Sequence, residues 1–305
     1  MVDPNSKNRK PRDEVHGWIF LDKPLGMTST QAVGYIKRIM NAKKAGHGGT
    51  LDPLATGVLP IALGEATKTM PYMIVEDKSY EFDVAWGSET STDDLEGEAT
   101  KTSDKRPSQQ DIMDILPQFV GDIQQVPPQF SAIKIDGKVA YKEARKGGGL
   151  ELKARDVHVY ALDVLEHSPE KTRFSVSVSK GTYVRSLARD MGRALECYGH
   201  VTYLRRTLVG DVGLDKALTQ EMLDKEADGG HYPRHLLLAV DATLDGIPVY
   251  RASPEEALRL KAGGTFMRIH LKPGIMRVKA LNGPVSSLVE VKEDGLVKVI
   301  RNFNL

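Results

Sequence analysis

The sequence predicts an α+β fold in which short alternating strands are interspersed with amphipathic helices, closed by a small strand-rich C-terminal unit. Three observations predict it. Apolar residues alternate over Tyr80–Trp86, Val157–Leu165 and Phe174–Val178, the period of a half-buried strand. They recur at helical spacing over residues 29–42 and 182–197. Four short alternating segments then crowd into residues 266–300. A chain of 305 residues is long enough for one large core and a second, smaller one.

The elements follow in chain order. Residues 1–15 read as a disordered polar tail. Gly17–Leu21 reads as a short buried strand. Ser29 or Thr30 can cap a helix running to about Ala42, with Val33, Ile36 and Met40 on its apolar side. Tyr80, Phe82, Val84 and Trp86 share one strand face; Glu81, Asp83 and Ala85 share the other. Ser108 with Asp111 opens a helix that stops near Pro117. The helix over 182–197 carries the stripe Val184, Leu187, Met191 and Leu195, with Gly199 expected as its C-terminal glycine. The acidic, glycine-containing stretch Asp228–Gly246 reads as a linker, which divides the chain into units 16–245 and 246–305. Beyond it, Ser253-Pro254-Glu255-Glu256 is a capping box with proline at the first helical position, and the helix ends at Gly263-Gly264. Strands are expected over Phe266–Leu271, Ile275–Ala280, Ser287–Lys292 and Leu296–Ile300.

The net charge of +1 conceals strong segregation. Residues 131–155 hold seven basic side chains against three acidic, residues 180–206 six against two, and residues 247–305 ten against five. The compensating acid sits in residues 88–98 and 211–246. Such basic stretches suit a phosphate-bearing partner, or are simply solvated faces. Arg185, Arg189 and Arg193, spaced by four, pose the same choice on one helix face. The single cysteine, Cys197, excludes an internal disulfide and a cysteine-rich zinc site and fits a reducing cytoplasm. No apolar run reaches the length of a membrane span, and no secretory leader is evident. Walker-type loops, dinucleotide fingerprints and metal-ligand clusters are absent from the sequence.

The densest segment is Gly46–Gly57 (GHGGTLDPLATG), whose glycines and proline specify a tight loop that a substrate backbone can approach closely. Asp52, before Pro53, is held extended or in a turn; on its own it reads first as a turn-initiating aspartate. The segment resembles the active-site motif of the TruB family, bacterial synthases that make pseudouridine in the T-loop of transfer RNA. Further motifs match in order over residues 16–210: Lys23–Ser29 (KPLGMTS), Lys78-Ser79-Tyr80, Gly87–Gly97, Gln125–Lys134, Gly181–Leu187 (GTYVRSL) and His200–Arg206.

The resemblance implies a pseudouridine synthase fold: a mixed, largely antiparallel central sheet flanked by helices, the catalytic loop lying across a basic cleft, and a PUA-like RNA-binding module at the C-terminus. It implies isomerisation of uridine at position 55 of tRNA, with the T-arm stem-loop as partner, no cofactor, no metal and no guide RNA. The chain is expected to work as a cytoplasmic monomer away from membranes. Asp52 becomes the reacting carboxylate, Arg185 its cation, and Tyr80 the ring that stacks on the uracil and assists loss of the C5 proton. Tyr183 and Leu204 would line the base pocket, and His47 would fill the gap left by the flipped base. Lys23, Lys134, Lys142, Arg145 and Arg205 become phosphate contacts. Two positions depart from the family pattern: Gly48, where threonine is common, and Phe130, where tyrosine is common. Three rivals remain: a tRNA-folding chaperone on the same fold, a glycosidase using Asp94 as second carboxylate, and a guide-dependent synthase, which would carry extra N-terminal and lysine-rich segments.

Overall fold

Strand β1 (Gly17–Lys23) lies antiparallel to β3 (Ala55–Leu63), and this pair starts the main sheet. The computed structural model describes residues 11–131, 134–135, 138–140, 151–279 and 283–305. The sheet continues through β12 (Gly199–Val209), β4 (Lys78–Trp86), β11 (Lys171–Val178), β10 (Arg155–His167) and β7 (Gly121–Gln125). Two short strands, β2 (Ala45–His47) and β13 (Val212–Gly213), attach to β3 and β12, while β5 (Ser88–Thr90) with β6 (Ala99–Thr102), and β8 (Lys134–Ile135) with β9 (Lys138–Val139), form separate two-stranded ladders. Every pairing in this sheet is antiparallel except β3 with β12. A mixed, largely antiparallel sheet flanked by helices is therefore what the chain forms.

The alternation in β4 places its aromatic face in the main core. Phe82 stacks on Phe174 at 5.2 Å, Trp86 meets Phe174 edge-on at 6.4 Å, and the Trp86 indole donates to Thr172 Oγ1 at 2.9 Å. Helix α1 (Ser29–Ile39), α2 (Met70–Ile74), α3 (Gln109–Ile115) and α4 (Val184–Ala194) pack round the sheet. The stripe Val184, Leu187, Met191 and Leu195 is buried in the core beneath β4, each side chain contributing about 1.5–3 kcal/mol of transfer free energy. The α1 cap is Thr28 with Gln31 in a capping box, one residue ahead of the expected Ser29, which has another task. Gly199 does not cap α4. The chain reverses through Glu196 and Tyr198, both at positive φ, and Gly199 opens β12, where a Cβ would lie 2.9 Å from Val84 and 3.0 Å from Trp86.

The five-stranded second sheet has the order β14 (Val249–Arg251), β16 (Gly274–Lys279), β17 (Val285–Val291), β18 (Leu296–Asn302), β15 (Phe266–Met267). Its own core includes Leu260, Val278, Val289 and Val297. Its other side shares a core with the back of the main sheet: Trp18, Phe20 and Val58 pack with Val285, Leu288 and Phe303.

Two expectations are corrected. Residues 11–15 are not a loose tail: Asp13 exchanges backbone hydrogen bonds with Asn41 and Lys43, and Val15 is buried. Residues 1–10 lie outside the described residues. The acidic stretch 228–246 is not a free linker either. Leu238 exchanges backbone bonds with Trp18 at 2.9 Å, Val240 accepts from the Trp18 indole, and Asp241 pairs with Lys279 at 2.6 Å. Two of its acids, Asp241 and Asp245, pair with Arg277 and Lys279 of the second sheet.

The parallel β3–β12 contact depends on one glycine. Gly57 lies opposite Arg206 at φ 100, and a Cβ there would sit 2.1 Å from the Arg206 carbonyl oxygen. Gly57→Ala is expected to cost about 2–4 kcal/mol of folding free energy, read as a lower urea midpoint, because neither backbone can yield without opening the sheet.

Candidate active site

A cleft of about 840 Å³ opens over the parallel junction of β3 and β12, floored by residues 49–53 and walled by β4, α1 and the N-terminus of α4. The loop is pinned residue by residue. The Ser29 hydroxyl donates to the Leu51 carbonyl and accepts from the Leu51 N–H, both at 2.9 Å. Gly26 N–H donates to the Pro53 carbonyl at 2.9 Å, Gly48 N–H to the Pro60 carbonyl at 2.9 Å, and Arg206 to the Gly49 carbonyl at 3.1 Å. A turn closed by Ala55 N–H on the Asp52 carbonyl then aims the Asp52 side chain.

Asp52 meets Arg185 at 3.0 Å. The guanidinium is buried and shared: it also contacts Asp94 at 3.3 Å and donates to the carbonyls of Thr92 and Phe130, both at 2.9 Å. The Asp52 side chain keeps 38% of its surface open to the cleft. Its surroundings push the carboxyl above the usual carboxylate range, because burial outweighs the Arg185 charge and Asp94 adds repulsion. Arg185 and Lys23 pull the other way. An aspartate poised so is a usable base or nucleophile that water only partly quenches.

The expected arginine face of α4 is turned to carboxylates: Arg185 and Arg189 are buried, and Arg193, 46% exposed, is paired as well. Arg185 holds Asp52 and Asp94, Arg189 holds Asp93 at 3.1 Å, and Arg193 holds Glu89 through two bonds of 2.6 and 2.8 Å. The acidic block at 88–98 and the arginine helix are two halves of one ion-pair ladder. Burial still pushes Asp93 up, to about 6, against Arg189.

Tyr80, Tyr183, Leu204 and His47 all line the cleft. His47 Nδ1 is buried with no hydrogen-bond partner among the described residues, and burial, reinforced by Arg206, lowers its pKa. Lys23 departs from the phosphate-contact expectation. It is fully buried, its ammonium donating to the carbonyls of Met27 at 2.7 Å, Pro24 at 3.0 Å and Pro53 at 3.4 Å. Burial depresses it to about 8, with Asp52 opposing. Arg205 lies off the cleft, paired to Asp22 at 2.7 Å. Lys134 falls in strand β8 (Lys134–Ile135), but its side chain, like Lys142 and Arg145, lies outside the described residues.

Lys78 and Arg206 were missed by the sequence reading, and both line the cleft. Alternation could have found them: Lys78 is two residues from Tyr80 on β4, and Arg206 two from Leu204 on β12, so each points with its pocket neighbour. Burial lowers Lys78 to about 8, with Arg206 adding repulsion. The Gly48 departure has a packing partner, since a Cβ there would lie 3.0 Å from Met73. Phe130 serves Arg185 through its carbonyl, which a tyrosine would offer equally. Asp94, the second carboxylate of the glycosidase reading, shares the Arg185 cation and accepts from Glu96 N–H at 2.9 Å, so it closes a turn beside Asp52 rather than facing it across the cleft.

The family model described as TruB family pseudouridylate synthase (N terminal domain) matches residues 37–184, and that of the tRNA pseudouridylate synthase B C-terminal domain matches residues 185–245. Among curated proteins, tRNA pseudouridine synthase B of Bradyrhizobium diazoefficiens is 49% identical over 273 residues, covering 86% of this chain and 79% of its own. The protein of that name from Brucella anthropi is 49% identical over 276 residues, covering 84% and 85%. Among solved structures, a Cbf5-Nop10-Gar1 complex aligns with a TM-score of 0.70 at 25% identity, covering 94% of this chain and 85% of that one. An H/ACA RNP bound to a substrate RNA containing 2'-deoxyuridine aligns equally well, covering 95% and 85%.

Lys23 provides a test of the loop architecture. Lys23→Met leaves three carbonyls without their donor, so it is expected to lower folding free energy by about 1–3 kcal/mol in urea titration. A surface phosphate contact would instead leave stability unchanged and weaken only RNA binding.

Proposed function

The chain belongs to the TruB family of pseudouridylate synthases, and on that premise we propose that Asp52 is the residue through which it converts uridine to pseudouridine in transfer RNA. The reaction breaks the C1′–N1 bond, turns the base and joins C5 to C1′. The C5 proton leaves and N1 gains one, so the change is an isomerisation. One ionised carboxylate aimed at the nucleoside is the central requirement. The observation that carries the reading is Asp52 itself, pinned in a braced loop, paired at 3.0 Å to a buried arginine and open to the cleft.

The other cleft residues fit the steps around it. The target base must be flipped from its stack, at a cost of a few kcal/mol. Tyr80 offers a ring to stack on it, Leu204 an apolar wall, and Tyr183 a second aromatic at the mouth. His47, its pKa lowered, presents a ring suited to the vacated place in the RNA stack. The substrate is read as the T-arm stem-loop, with position 55 as target and no guide RNA, and the chain as acting singly. Residues 16–245 are read as the catalytic unit and 246–305 as an RNA-binding appendage, supported by the separate second sheet and its surplus of basic residues.

Asp52→Ala is expected to lower pseudouridine formation by about ten-thousand-fold or more, with tRNA affinity kept within a few-fold. Mapping pseudouridine in tRNA after incubation with each protein measures it. Undiminished product with the variant would refute the role of Asp52, free uracil would restore the glycosidase reading, and product confined to the anticodon arm would remove the T-loop.

The carboxyl acts ionised, and its pKa lies above the usual carboxylate range. The single-turnover rate should therefore fall as pH drops through that raised value rather than near 4. Arg185→Met removes the cation that favours the ionised form, so the acid limb should move to still higher pH. An acid limb that stays in place in the variant would show that Arg185 does not set the Asp52 charge.

A further inference from the structure

We propose that Arg155, which no motif singles out, is a positioning residue that binds a phosphate of the substrate RNA at the mouth of the cleft. The proposal rests on the RNA-modifying reading above. Arg155 is the first residue of β10 and lines the cleft with Lys180, Gly181 and Tyr183. Its guanidinium lies 4.9 Å from the centre of the Tyr183 ring and donates to the Gly181 carbonyl. The Nε atom is buried and has no hydrogen-bond partner among the described residues.

Its electrostatic state sets it apart. Arg185 answers Asp52 and Asp94, and Arg206 is spent on the carbonyls of Val58 and Gly49. Arg205, Arg189 and Arg193 each hold a carboxylate. Arg155 has no carboxylate partner among the described residues. A guanidinium stacked on an aromatic face in the cleft wall, with no carboxylate beside it, has an unanswered charge, and a phosphate is an anion that would answer it.

The support beneath it is rigid. Arg155 pairs with Gln125 across β10 and β7. The Gln125 side chain accepts from Tyr183 N–H at 2.7 Å and donates to the Tyr183 carbonyl at 3.1 Å. Tyr183 in turn immediately precedes α4, which carries Arg185 two residues on. A phosphate gripped by Arg155 would thus be referenced to the same helix that orients Asp52. That is how a backbone contact can place the flipped nucleotide without reading its base.

The test compares wild type, Arg155→Lys and Arg155→Gln. Pseudouridine formation is followed over a range of tRNA concentrations, and binding is measured against salt in an Asp52→Ala background. The proposal expects Arg155→Gln to raise KM about tenfold or more, with the smaller loss in kcat, and to reduce the slope of log affinity against log salt by about one. Arg155→Lys should recover the salt slope but only part of the affinity, since a lysine keeps the charge and loses the fork. A neutral methylphosphonate at either phosphate flanking the target uridine should weaken wild type, and at one of the two should weaken Arg155→Gln no further. An unchanged KM and salt slope, or effects of variant and methylphosphonate that simply add at both positions, would overturn it. So would a fall in thermal midpoint that accounts for the lost activity. If wild type itself makes no pseudouridine, the functional reading fails; if only Arg155→Gln is indistinguishable from it, the assignment of Arg155 fails alone.

Discussion

The pairing of Arg185 with Asp52 is the contact on which the site depends. One guanidinium ties four stretches of chain together: the glycine-rich loop at Asp52, the acidic turn at Thr92 and Asp94, the segment at Phe130, and α4 itself. Removing such a buried cation strands charges and carbonyls at once, typically at a cost of about 3–5 kcal/mol. The same contact bears on the charge of Asp52. Burial favours a neutral Asp52, and Arg185 is the largest influence holding it towards the ionised form. A single ion pair thereby links the assembly of the cleft to the charge state of Asp52, the proposed reacting group.

Around that pair the chain spends its charge on itself. The acidic block at 88–98 meets the arginines of α4, and part of the acidic stretch at 211–246 meets the second sheet through Asp241 and Asp245 on Arg277 and Lys279. Segregation along the sequence therefore reports internal complementarity at least as much as an RNA surface. The buried pairs among these, Arg185 with Asp94, Arg189 with Asp93 and Arg277 with Asp241, add little net stability, since desolvation offsets much of their attraction. The first two fix the axial and rotational position of α4, and so the position of Arg185. Arg155 has no carboxylate partner among the described residues, which is what sets it apart from these arginines.

The loop that carries Asp52 illustrates a second economy. A glycine-rich loop is entropically costly to order, and this one is held by groups whose residue types look functional. Lys23, Arg206 and Ser29 spend their donors on loop carbonyls. Each has a residue type that also suits a substrate contact, yet the Lys23 ammonium is turned inward onto carbonyls. Its depressed pKa has the same origin as its structural role, because an ammonium buried against carbonyls is desolvated.

Much of the fold was legible in the residues. Period-two alternation located β4, β10 and β11, helical spacing located α4, and Ser108-Asp111 and Ser253-Glu256 marked helix starts that form as capping boxes. These are local properties, decided within a few residues of each other, which is why a linear sequence displays them. The motif around Asp52 likewise marked the loop through its glycines and proline. Tertiary structure alone decided which charges meet. Arg185 finds Asp52 across more than a hundred residues of chain, Lys23 turns inward while Arg155 stays open to the cleft, and Gly199 packs against Trp86 instead of capping a helix. A lysine or arginine has the same sequence signature whether it braces a carbonyl, answers a carboxylate or awaits a phosphate. Only the partner brought alongside by folding distinguishes them, because Coulomb and hydrogen-bond energies depend on distance in space and local dielectric, not on separation along the chain.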